Sequence, residues 1–483
     1  MESREIWTSA EPRKAASTDV MAVIVCVLAV IAASSVLFGP PQVEASPPEA
    51  IASVGAVSSA GADAGPRSGS VDNPGWNGPS RSSAPAEDMD RDSHLPSPSP
   101  DPWYSNPPAL DESTPDGTIL DSRPARIAWH HAPGGVGPTW QLLVQTRDSR
   151  KRPVAVPSTL ITPERPWPGP GPRPLLSFAV AIDGLGNTCQ PSWTLTQGFS
   201  LLQPPILQDL IARGYAVVVT DHHGPRGAYA ASRMHGHALL DGIRAARSFA
   251  PAGLQDSPAA LFGYSGGGIA VGGAAQVQNT YAPEMSEYLV ANAIGGAPVD
   301  LATAYRGMDG TIGAGLLRAA IFGVIREYPE AHALLNAAGR ELAFALRDTC
   351  AEANAVTGVV MPPFSLLTEV DDPLADPRVQ HMLTDTRVGP RPDRPDELPN
   401  HPVLLFHADP AVFPGPGDQF FPAHNARRLR DEWCAAGVNA DYVGVPGEHL
   451  VGMFTATEPV LDWIHHRFEL HAEGAPPPDG CRP

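Results

Sequence analysis

Apolar and polar positions alternate along this chain in two different rhythms, and their order predicts an α/β protein. Gln141–Thr146 and Val154–Ile161 read as an antiparallel pair of strands. Leu175–Ile182 and Tyr215–Thr220 are short, continuously apolar runs, as expected of strands buried on both faces. Between them Ile206–Arg213 has helical spacing and stops at Gly214, and His235–Ser248 repeats that spacing ahead of the apolar run starting at Ala259. Ala291–Gly295, Val403–His407 and Ala440–Val445 continue the strands, with helices predicted over Ala423–Ala436 and Pro459–Leu470. Strands alternating with helices imply a mostly parallel sheet with helices on both faces. Residues 299–383 break the rhythm: Ala314–Arg326 and Ala331–Arg347 are helical, no buried strand intervenes, and the block reads as a helical lid inserted in the sheet.

The pattern also marks where no core can form. Residues 20–38 are an uncharged apolar run behind Arg13 and Lys14, at the boundary between a signal peptide and a membrane anchor. With Val43-Glu44-Ala45 as a cleavage context, residues 1–45 are assigned to that role. Residues 46–100 are Ser, Pro, Ala, Gly and Asp with scarcely any large apolar side chain, so they read as a disordered linker. A catalytic domain is expected over 101–475 and a short tail over 476–483. A formal net charge of −19 argues against nucleic acid as a partner. Outside the apolar run the cysteines are Cys189, Cys350, Cys434 and Cys481, without the CxxC spacing of a zinc or redox site. In an exported chain that even set suggests two disulfides.

The candidate chemistry centres on Gly263-Tyr264-Ser265-Gly266-Gly267, between an apolar run and a small-residue segment that can start a helix. That is the G-x-S-x-G elbow, which holds a nucleophilic serine on a tight turn. Gly263 and Gly267 let strand and helix pass closely, and the Gly266 amide is half of an oxyanion hole. A serine hydroxyl needs a base, and the base needs an orienting carboxylate. His449 follows the last strand, and the order Ser, acid, His is that of α/β-hydrolases. The acid is Asp409, directly after Val403–His407, or Asp418, in Asp418-Gln419-Phe420-Phe421-Pro422; His407 is a structural competitor to His449.

A series of motifs narrows the choice: DPWYSNPP at 101–108, PDGTILDSRP at 115–124, SFAVAIDGLGNTCQPSW at 177–193, RGYAVVVTDHHGPRGAY at 213–229, GHALLDGIRAA at 236–246 and GYSGGG at 263–268. In these the chain resembles the secretory lipase family of α/β-hydrolases. The resemblance implies a triad of Ser265, His449 and Asp418, although Pro-Ala-Val-Phe-Pro-Gly-Pro-Gly between Asp409 and Asp418 departs from the family pattern. It also implies that the Asp183 amide completes the oxyanion hole with Gly266. Cys189 would bond to Cys350 in the lid, leaving Cys434 and Cys481 as the second pair. The expected activity is hydrolysis of lipid or small esters, with a lipid–water interface as a working surface and with neither metal nor organic cofactor. The competing expectations are a secreted prolyl-type peptidase of the same fold and a catalytically inactive cell-surface binding module.

Overall fold

Each predicted strand takes its place in one sheet of nine, ordered β1-β2-β3-β5-β4-β6-β7-β8-β9 in the computed structural model. The strands are β1 Ile119–Pro124, β2 Val136–Arg147, β3 Pro153–Pro163, β4 Leu175–Ala179, β5 Ala216–Thr220, β6 Ala259–Tyr264, β7 Leu289–Gly295, β8 Val403–Ala408 and β9 Ala440–Val445. The structure describes residues 93–482 apart from 129–134, 182, 198–202 and 359–362, all within the unit Ala86–Pro483. The expected signal or anchor segment, and the linker up to residue 92, lie outside the described residues.

Pairing is antiparallel from β1 to β3 and between β3 and β5, then parallel from β5 through β9. The parallel strands need cover on both faces, which accounts for their unbroken apolarity. Alternate side chains point to opposite faces. Val218, Leu261, Ile294 and Leu405 join one core with the helices Ser232–Ser248 and Gly266–Tyr281. Val217, Phe262, Ala293 and Leu404 join the other, with the helices Gln203–Ala212 and His449–Glu473. Small residues bring the first pair of helices together: a Cβ on Gly273 would lie 2.0 Å from the Ser232 carbonyl oxygen. The connection after β4 leads to β5 on one side and that after β6 leads to β7 on the other, so the carboxyl ends of β4 and β6 open into a crevice between them.

Several elements differ from expectation. β1, within PDGTILDSRP, was not anticipated; all of its residues are exposed or half-buried, and its pairing with β2 supplies what its weak pattern does not. β4 ends at Ala179, short of the predicted Ile182, which lies outside the described residues. The helix expected over Ala331–Arg347 is broken into Pro329–His332 and Ala337–Leu346. There Asn336 caps the second piece, accepting from the Gly339 amide at 3.0 Å, while its own amide donates to Leu367. The last helix begins at His449, not at Pro459, because Glu448 caps it by accepting from the Leu450 and Val451 amides. Pro459 sits inside that helix.

The linker expected over 46–100 is also corrected at its end, since residues 93–100 pack on the domain. The Ser97 amide and hydroxyl both donate to Asp348 at 2.7 Å, Asn187 donates to the Ser97 carbonyl at 2.8 Å, and Arg326 donates to the His94 carbonyl at 3.1 Å. Between β7 and β8 the chain is helical, including Leu301–Met308, Ala314–Val324 and Pro377–Thr386. Two disulfides are present, Cys189–Cys350 and Cys434–Cys481, with Cα separations of 5.2 and 5.6 Å. The first ties the loop after β4 to the helical segment, and the second ties the C-terminal tail to the helix Ala423–Ala435. Among the described residues no helix is long and apolar enough to cross a membrane.

Candidate active site

β6 runs straight into a helix through one residue, and that residue is Ser265. Its φ of 55° and ψ of −119° place a non-glycine residue in the left-handed half of the map. Such a conformation costs on the order of 1–3 kcal/mol and persists only where neighbours impose it. They do so here: the Ser265 amide donates to the Gly295 carbonyl at 2.8 Å, and its carbonyl accepts from Ile269 at 3.1 Å. The turn also has no room for side chains on either side. A Cβ on Gly267 would stand 2.1 Å from the Ala179 carbonyl oxygen, and one on Gly263 would stand 2.3 Å from that of Gly267.

His449 Nε2 lies 3.0 Å from Ser265 Oγ, and His449 Nδ1 lies 2.6 Å from Asp418 Oδ2. With Nδ1–H donating to the carboxylate, the lone pair on Nε2 faces the serine hydroxyl. The other oxygen of Asp418 accepts from the Phe420 and Phe421 amides at 2.9 and 2.8 Å. Burial alone would raise the pKa of this carboxyl. His407, whose Nε2 is 3.2 Å from Oδ2, and His449 outweigh that effect and hold Asp418 well below the usual carboxylate range.

Both candidate acids can be placed. The Asp409 side chain pairs with Arg427, accepts from the Tyr442 hydroxyl at 2.7 Å and turns away from His449. The inserted Pro/Gly stretch loops outward, exposing Val412 and Phe413. It then returns, so that the Asp418 amide donates to Ala408, the last residue of β8, at 3.1 Å. Asp418 thus stands at the strand end although it lies further along the sequence. His407 supports the carboxylate instead of competing with His449.

Tyr264 does more than spell the elbow. It is buried, and its hydroxyl donates to the His449 carbonyl at 2.7 Å, linking the turn to the start of the last helix. The rings of Phe420 and Phe421 stand edge-on to the imidazole, with centroids 5.4 and 5.1 Å away. These supports are not legible in the sequence, since nothing in their spacing relates Tyr264 or His407 to His449 or Asp418.

Gly266 begins the helix, so its amide is among the first N–H groups that no turn of helix can satisfy. A Cβ on Gly266 would lie 2.3 Å from the Ala181 carbonyl oxygen, which shows how tightly the helix start abuts the loop after β4 that carries Asp183. The Asp183 carbonyl accepts from the Ala351 amide at 3.0 Å. Its side chain points inward, where burial and the neighbouring carboxyls of Asp221 and Glu352 push it well above the usual range.

From Ser265 and His449 a cavity extends under the helical segment. Its walls are apolar, with Leu301, Met308, Leu317, Ile321 and Leu335 from that segment and Ile269 from the elbow helix.

The chain is similar to known proteins. Residues 195–475 match a family model described as secretory lipase. Over 399 residues, 80% of this chain and 85% of the relative, the chain is 32% identical to a Mycobacterium tuberculosis protein named a probable inactive lipase. It is 31% identical over 386 residues to a secreted triacylglycerol lipase of Malassezia furfur, covering 76% of this chain and 75% of that one. Among solved structures, Candida antarctica lipase A in its closed state superposes with a TM-score of 0.69 at 26% identity, covering 81% of this chain and 90% of that one.

Proposed function

Because this chain belongs to the secretory lipase family and is a carboxylic-ester hydrolase of α/β-hydrolase fold, we propose that it is an exported lipase or esterase working through Ser265, His449 and Asp418. The observation that carries this reading is the hydrogen-bonded line Asp418–His449–Ser265 ending at the mouth of an apolar cavity. In the first half-reaction Ser265 Oγ attacks the ester carbonyl carbon while His449 Nε2 takes its proton. The carbonyl oxygen becomes an oxyanion facing the amides of Gly266 and Asp183. The intermediate then collapses: the C–O bond to the alcohol breaks, and His449 returns the proton to the departing oxygen. Water, deprotonated by His449, repeats the sequence on the acyl-enzyme and releases the acid. Asp418, kept ionised, holds the imidazole in the required tautomer and stabilises the imidazolium.

The cavity suits an acyl chain, whose burial against leucine and isoleucine side chains contributes roughly 0.8 kcal/mol per methylene. The helical segment over it acts in this reading as a lid. Export through residues 1–45 agrees with two disulfides, which persist in oxidising compartments.

The test is a hydrolysis profile over aryl esters of increasing acyl length, run beside an aminoacyl anilide and a fluorophosphonate label. Ester turnover with label on Ser265 is expected. Cleavage of the anilide in preference to every ester would favour the peptidase. Absence of both turnover and label would make this chain a binding module, a reading that the name of the Mycobacterium tuberculosis relative keeps in view.

A further inference from the structure

Outside the lining of the acyl cavity, though packed against Tyr229 of its wall, lies a group of side chains that the hydrolytic reading does not use. Asp183, His222 and His223 each offer a ligand atom, and these atoms all fall within 4.8 Å of one another. All three residues are buried, at 4%, 0% and 1% exposure. His222 and His223 come from the motif Asp221-His222-His223-Gly224 after β5, and Asp183 comes from the loop after β4, the neighbouring strand.

We infer that Asp183, His222 and His223 form a binding site for a divalent transition metal of zinc type. Polar atoms this deep ordinarily find partners. Among the described residues, however, neither carboxylate oxygen of Asp183 nor Nε2 of His222 makes a hydrogen bond of good geometry, and His223, which approaches the Gly184 backbone, makes none of good geometry through either ring nitrogen. His223 Nδ1 stands 3.5 Å from Asp183 Oδ2, too far for a good hydrogen bond. That spacing suits two ligands of one ion, because donors at about 2.0–2.2 Å from a tetrahedral zinc lie roughly 3.3–3.6 Å apart.

The surroundings fit as well. His222 Nδ1 lies 3.3 Å from the Thr220 carbonyl, a partner that places the proton on Nδ1 and leaves the Nε2 lone pair free, as for histidines that bind metal through one nitrogen. His235 stacks on His223 with centroids 5.0 Å apart and fixes its ring, and His235 Nε2 is itself held by the Ala228 carbonyl at 2.8 Å. Two imidazoles with one carboxylate is a donor set for zinc, not for calcium or magnesium, which prefer all-oxygen sites. An ion here would tie the loop after β4 to the loop after β5. It would do so whatever substrate the enzyme takes, so the site stands or falls independently of the hydrolytic reading.

The experiment uses the full chain without a histidine tag, produced in zinc-supplemented medium and dialysed before elemental analysis. The expected result is close to one zinc per chain, with X-ray absorption at the zinc edge showing imidazole scattering and N/O donors at about 2.0–2.1 Å. In His222→Gln and His223→Gln the ratio should fall at least about tenfold. Protein grown with cobalt should show the visible bands of a tetrahedral ion, lost in the same variants. Less than about a tenth of an equivalent of any transition metal in the wild-type chain would mean that water alone fills the site, and the inference fails. It fails equally if the wild-type absorption edge shows no imidazole, or if both variants keep the metal with an unchanged cobalt spectrum. Because the wild-type measurements read the donor set directly, the outcome does not depend on the variants folding.

Discussion

At the scale of single residues, the assignments separate sharply under substitution. Ser265→Ala removes the attacking oxygen and little volume, so turnover on a simple aryl ester should fall by roughly three orders of magnitude or more with folding intact. Near-normal turnover in that variant would overturn the mechanism. The two aspartates divide in the same assay. Asp418→Asn should lower kcat by about four orders of magnitude, because an amide opposite Nδ1 favours the wrong tautomer. Asp409→Asn should leave kcat within a few-fold of wild type, its effect confined to the Arg427 and Tyr442 contacts. The reverse ranking would move the triad acid to Asp409. The Ser265 and His449 positions were legible in the sequence because a short motif and chain order carry them. The supports at Tyr264 and His407 were not, since Tyr264 acts on the start of the last helix, 185 residues on, and His407 acts on Asp418 only because the loop after β8 turns back.

Among the elements, the disulfide Cys189–Cys350 joins the loop after β4 to the helical segment across a sequence separation of 161. Closing so long a loop restricts the unfolded chain by roughly 5 kcal/mol in the entropy model. Cys189→Ser with Cys350→Ser should therefore lower the denaturant midpoint and, because the freed unfolded chain exposes more surface, steepen the transition. Equilibrium unfolding that left the midpoint in place would show that the bridge adds nothing to stability. The same element scale shows why some boundaries were missed. The apolar period of 331–347 is helical throughout, yet a side-chain cap from Asn336 and a bridge between Leu335 and Thr368 divide it. Pro459 reads locally as a helix start, whereas the actual start is set ten residues earlier, where Glu448 caps the helix that carries His449.

For the molecule as a whole, two expectations concern its limits of stability. Residues 93–100 are bound to Asp348, Asn187 and Arg326, so a chain starting at residue 93 should match the full chain in melting temperature and activity. A chain starting at Asp101 should melt several degrees lower; equal melting of the two would show those contacts to be dispensable. The second expectation is acid sensitivity. Burial, with Arg233 and Lys151 nearby, pushes His237 down from 6.5 to about 3, against the Arg147 carbonyl to which it is hydrogen bonded. The unfolded chain takes up a proton on this side chain below about pH 6.5 while the folded one does not, so its contribution is present above that pH and is lost as pH falls toward about 3. In His237→Asn the stability should fall less steeply across that window, by up to about 1.4 kcal/mol per pH unit. Parallel stability curves for wild type and variant would remove His237 from the account.

Local pattern by itself determined the class of fold, the parallel strands and the elbow. Each of these is written in a short stretch, where a period of two or 3.6 and a glycine-flanked serine have one low-energy reading. Tertiary structure alone decided which aspartate meets His449, where the helical block breaks, and that residues 93–100 belong to the domain. Those outcomes depend on the path of the chain between distant points. A loop rich in proline and glycine can turn back or run on at similar local cost, and only the hydrogen bond from the Asp418 amide to the end of β8, with His407 and His449 waiting beside it, makes the return the stable choice.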